Sequence, residues 1–181
     1  MRQILLVAVL AGSLTLGAQE TKHEIVNSHG HAADTKPLSS SVPDVYAIHG
    51  HLQRVVILRF KYGTDLLAGL QKMIAQEKIR NAVILSGFGS VRGYQVHQVS
   101  NRTLPSHDLF VKDPTKPADI IGMSGMVMDG RVHPHITLAN GDVAFGGHLE
   151  PGTQVFTFAV ITLGVLDDNL DLKDLDNSSN R

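Results

Sequence analysis

Three histidines in the stretch "GRVHPHITLANGDVAFGGHLEPGT" (residues 130–153) have types and spacing that suit metal chemistry. His133 and His135 are two apart. On an extended strand alternate side chains share a face, which sets their α-carbons roughly 6.5–7 Å apart. Imidazoles so placed can hold one ion at about 2.0–2.1 Å each. His148 follows Gly146 and Gly147, which leave room for a backbone kink that brings a third ring close. Three imidazoles with an open fourth position are the donor set of catalytic rather than structural zinc. Glu150 lies two residues beyond His148 and can share its face as a fourth ligand, a base or a partner of a ligand. The competing reading is a set of exposed histidines that merely titrate near neutral pH.

Composition bears on that choice. The chain has no cysteine, so a metal site must be built from His, Asp or Glu, which disfavours thiolate-rich structural zinc. The pair His49 and His51 repeats the two-residue spacing without a third partner, and His29 and His31 sit in a polar arm. Ser86-Gly87-Phe88-Gly89 suggests a phosphate-cradling loop, but no Lys-Ser/Thr follows and no helix begins there. A bulge or sheet corner is the better reading of that glycine pair.

The elements that must position the three histidines come next. Asp129-Gly130 and Asn140-Gly141 are two-residue hairpin signals, so three strands (119–128, 132–139 and 143–149) form a meander that sets the histidines on neighbouring strands. Pro134 cannot donate to a ladder, which places its strand at an edge or leaves it locally open there. Upstream, "RVVILRF" (54–60) is a buried strand by composition. Thr64 is a plausible N-cap, with Asp65 in the first turn of an amphipathic helix over 65–78 that carries Leu66, Leu67, Leu70, Met73 and Ile74 on one side. Strands over 81–91 and 93–99 follow, then a proline-marked loop over 101–117, and a last strand covers 155–166.

The ends read differently. Residues 1–18 have the layout of a signal peptide: Arg2, an apolar run from Ile4 to Leu16, and Gly17-Ala18 for cleavage. That run is too short to cross a bilayer, so no membrane span is expected after cleavage. Export predicts a periplasmic or secreted protein. Residues 19–45 read as a polar linker or arm, and 167–181, with five Asp against one Lys and one Arg, as an acidic flexible tail. Residues 46–166 carry eleven Lys/Arg against eight Asp/Glu, with no basic stripe of the kind that nucleic-acid backbones demand.

The His-x-His pair also suggests a cupin, but Gly125 lies eight residues before His133 and no acid follows until Asp142. A better match comes from four motifs in order: "YGTDLLAGL", "AVILSGFGSV", "SGMVMDGRVHPHITLA" and "GGHLEPGT". Through them residues 46–166 resemble the PPC domain, the plant and prokaryote conserved domain that plants fuse to AT-hook motifs. The resemblance implies an α+β fold, mostly antiparallel sheet with a packed amphipathic helix, assembled as a homotrimer with sites near subunit contacts. It also implies that His133, His135 and His148 match the metal-binding set of prokaryotic relatives, commonly zinc. The family's DNA-binding label rests mainly on the plant forms, and this chain has no Arg-Gly-Arg-Pro hook and no basic tail.

The expectation is therefore an exported homotrimer whose His133, His135 and His148 bind a divalent metal, zinc foremost, beside a pocket for a small-molecule ligand. If it is an enzyme, the open position would activate water, with Glu150 as base. Two alternatives stand: a DNA-binding protein, and a structural trimer module with incidental histidines.

Overall fold

The structure, a computed structural model, describes residues 22–27 and 39–178. The expected signal peptide lies outside the described residues, as do His29 and His31. The elements run β1 (Lys22–Asn27), β2 (Leu52–Lys61), α1 (Leu66–Gln76), β3 (Ala82–Val99), β4 (His107–Asp113), β5 (Ala118–Met128), β6 (Arg131–Ala139), β7 (Ala144–Leu149) and β8 (Gln154–Leu166). The strands join in one antiparallel sheet, with one helix among the described residues packed on it, which is the mostly antiparallel α+β class expected.

The sheet is organised around β3, one strand of 18 residues where the sequence suggested two. Along one edge of β3, β4 (Tyr94↔Asp113) gives way to β5 (Val91↔Ala118). Along the other, β7 (Val96↔Leu149) gives way to β8 (Gly93↔Gln154). Because β5, β6 and β7 pair in series and β7 returns to β3, these four strands close into a ring. The glycine corner Ser86 to Gly89 is part of β3 and pairs with β8, so it is a stretch of sheet.

Helix α1 is amphipathic as its spacing dictates, burying Leu66, Leu67, Leu70 and Ile74. Its N-cap is Asp65 rather than Thr64: the backbone of Asp65 is extended and its carboxylate accepts from the Ala68 amide at 2.9 Å. Leu58 and Phe60 of β2 and Ala159, Ile161 and Leu163 of β8 join the same core. On β2 and β8, Val55, Ile57, Phe156 and Phe158 remain exposed, and so does Phe88 of β3.

The Asp129-Gly130 hairpin has both residues at positive φ (51° and 80°), as a type I′ turn requires. The Asn140-Gly141 connection differs from expectation. It is a four-residue loop with Ala139 opposite Ala144, and the Asn140 side chain caps it by accepting from the amides of Asp142 and Val143.

Two segments expected to be irregular carry strands. β1 lies in the polar arm and pairs along β4, and β4 itself lies in the proline-marked stretch 101–117. The acidic tail is likewise no loose end over 167–178. Fully buried Asn81 donates through Nδ2 to the carbonyls of Asp167 and Leu170, and Leu172 is buried.

Candidate metal centre

On β6 the burial alternates strictly: Val132, Pro134, Ile136 and Leu138 face the core, while His133 and His135 share the opposite face. Their rings lie nearly parallel (10°) with centroids 5.3 Å apart, and their Nε2 atoms are 3.3 Å apart. On the neighbouring strand, His148 stands in register with His135. Its ring centroid is 4.7 Å from that of His133 and 5.5 Å from that of His135. The three predicted histidines thus form one cluster.

β6 is not an edge strand, since β5 flanks it throughout and β7 flanks part of it. His135↔His148 is the last pair with β7, so Pro134 falls where that side of β6 is open, beside the rings. The glycines before His148 serve a purpose other than a kink. A Cβ on Gly147 would overlap the carbonyl oxygen of His97, and one on Gly146 would overlap that of Ile136. They let β7 approach both neighbours closely.

That approach brings in a fourth histidine that local sequence did not single out. His97 on β3 is in register with His148, and the two rings stack at 4.7 Å and 14°. Phe110 covers His97 from the side at 5.0 Å. Glu150 lies just past β7, where its amide donates to the Gln95 carbonyl and the Thr153 hydroxyl ties the same turn to Gln95. Its Oε1 is 2.6 Å from His97 Nδ1 and 3.8 Å from His148 Nδ1. Each of His97, His148 and Glu150 offers one ligand atom within 4.8 Å of the others, so these three could hold a metal ion.

Protonation favours metal binding. Burial, reinforced by His97, His133 and His135, pushes His148 down to about 4, so its ring is neutral at physiological pH. Burial and the neighbouring His133 and His97 also lower His135. The tail supplies a second carboxylate. Asp176 accepts from Arg131 Nη1 and Nη2 at 2.8 and 2.6 Å and lies 2.6 Å from His133 Nδ1. The Arg131 hydrogen bonds, followed by that of His133, hold the Asp176 carboxyl well below the usual carboxylate range. An ionised carboxylate only accepts, so His133 Nδ1 carries the proton and donates.

The remaining pair, His49 and His51, stands apart. His51 has a 94% exposed side chain near Asp167, and both residues precede β2.

A mostly antiparallel α+β domain with a histidine cluster on one sheet face is the class that fold and site define. A family model described as the Plants and Prokaryotes Conserved (PCC) domain matches residues 47–167, and the chain belongs to that family. Among solved structures, it is similar to a plant- and prokaryote-conserved protein from Pyrococcus horikoshii (23% identity, TM-score 0.56, covering 68% of this chain and 85% of that one). It is also similar to a metal-containing protein from Archaeoglobus fulgidus (22%, 0.56, 67% and 86%). A hypothetical protein from Salmonella enterica is another such structure (23%, 0.55, 62% and 78%). At these identities the likeness is one of fold. The chain is also 29% identical over 111 residues to the bifunctional protein GlmU of Synechococcus sp. strain JA-3-3Ab, a match that spans 61% of this chain and only 17% of that protein.

Proposed function

We propose that this chain binds a divalent metal ion, zinc foremost, through His133, His135 and His148, with His97 and Glu150 completing the surroundings. The observation that carries the reading is the convergence of the three rings, all within 5.5 Å of one another, on two adjacent strands. An all-imidazole set without thiolates suits zinc and its neighbours better than calcium or magnesium. The description of the Archaeoglobus protein as metal-containing agrees with this reading. A divalent ion held by three imidazoles supplies a Lewis-acidic position open to water or a small-molecule donor. Glu150, hydrogen-bonded to His97, would serve as the base for such chemistry.

The test is metal content. The full chain, prepared with zinc supplementation and freed of loose ions, is expected to hold about one equivalent. Less than about a third, with no loss on His133→Ala or His148→Ala, overturns the reading.

The proposal extends to assembly and location. The exposed apolar residues Val55, Ile57, Phe88, Ile121, Phe156 and Phe158 make a surface suited to other copies of the chain, and a homotrimer is the assembly the family resemblance favours. Export rests on the basic-then-apolar start of residues 1–18. Among the described residues no helix is long and apolar enough to cross a membrane. A reporter fused to residues 1–18 is expected in the exported fraction, and retention in the cytoplasm refutes the leader.

A further inference from the structure

We infer that the tail beyond the family domain is a working part of the metal centre, with Asp176 the residue that positions His133 for its ion. This rests on the reading of His133, His135 and His148 as ligands. The family match ends at residue 167, so Asp176 lies outside the matched segment.

Three observations carry the argument. First, the path of the tail is specified. Asn81, fully buried, holds the carbonyls of Asp167 and Leu170 at 3.2 and 2.9 Å, and Leu172 is 3% exposed. Second, Arg131 grips both carboxylate oxygens of Asp176 in a two-pronged pair, fixing the plane of the carboxylate as well as its place. Third, the Oδ2 atom faces His133 Nδ1 at 2.6 Å. A carboxylate on Nδ1 fixes the tautomer with the proton there and leaves Nε2 bare, and Nε2 is the atom that faces His135. Arg131 and His133 are alternate residues on one face of β6, so one carboxylate reaches both.

Glu150 makes the matching contact on the other side of the cluster, to His97 Nδ1 at 2.6 Å. The two differ in origin: Glu150 sits within the family-matched segment, and Asp176 arrives from outside it. Asp176 is a positioning residue, acting on an ion through His133. Such partners of metal-bound histidines set ring orientation and basicity, and losing one weakens metal affinity about 10–100-fold.

The experiment uses the full chain and cobalt(II) as probe. Affinity is measured by competition with a chelator for the wild type, Asp176→Ala, Asp176→Glu and His135→Ala. Nitrogen-15 spectra of the metal-free proteins report which His133 nitrogen bears the proton. The expected result is cobalt binding by the wild type, its loss in His135→Ala, and binding about 10–100-fold weaker in Asp176→Ala. Asp176→Glu recovers part of that loss, and the His133 Nδ1 proton signal disappears in Asp176→Ala alone. If the wild type binds and His135→Ala does not, but Asp176→Ala binds as tightly or more tightly, the tail's role is overturned while the three-histidine site stands. If the wild type takes up no cobalt, or His135→Ala binds equally well, the metal reading fails and the role of Asp176 fails with it.

Discussion

His148 is the residue on which the cluster turns, since it is in register with His135 on one side and His97 on the other. Its neutral ring is an asset for a ligand and a vulnerability for the fold. In the folded chain its pKa is lowered from 6.5 to about 4, first by burial and then by the three neighbouring rings. As pH falls, the unfolded chain therefore takes up this proton first, and stability declines with it. The contribution is whole above about pH 6.5 and is lost progressively toward pH 4. The melting temperature of chelator-treated protein should drop over that window, and His148→Gln should flatten the drop. An unchanged pH profile in His148→Gln would contradict the burial argument. At this scale much was legible: the two-residue spacing of His133 and His135 gave their shared face directly. His97 was not legible, because it reaches the cluster through a pairing between β3 and β7, far apart in sequence. Asp176 was hidden for another reason. Five aspartates in a short tail suggest solvation, and only the folded position of Arg131 singles out one of them.

Among the elements, β7 is the one whose sequence is most constrained by the site. It must pack between β6 and β3 tightly enough to stack His148 on His97, and the glycines at 146 and 147 permit this. Gly147→Ala would drive a methyl group into the His97 carbonyl, which cannot retreat without breaking the β3 ladder. The expected cost is roughly 1–3 kcal/mol by chemical denaturation, with weakened cobalt binding. Gly141→Ala in the neighbouring loop, where a Cβ meets nothing within 4 Å, is the control and should be near neutral. Equal behaviour of the two variants would remove the packing explanation. Helix α1 and the Asp129-Gly130 turn followed from local signals alone, because amphipathic spacing and paired positive φ are local requirements. β1 and β4 did not, since both lie in polar or proline-marked stretches and are extended by pairing with neighbours rather than by their own pattern.

For the whole molecule, the apolar outer face of β2, β8 and β3 sets the expected assembly. Ile57 is 69% exposed and Phe88 51% exposed, and the Phe88 and Phe158 rings meet edge to face at 6.3 Å. In the proposed trimer this surface is covered. Ile57→Asp should then lower the mass measured by light scattering toward that of a single chain, and a wild type that already behaves as a monomer would dismiss the assembly. The central position of β3 has a further consequence, kinetic rather than architectural. Its two edges are shared by β4, β5, β7 and β8, most of them distant in sequence, so productive contacts form only after long loops have closed. Folding is accordingly expected to be slower than in a fold of local contacts, and His97 joins the other histidines only when β3 pairs with β7. The three proposed ligands, by contrast, sit on the single β6–β7 hairpin and do not wait for that closure.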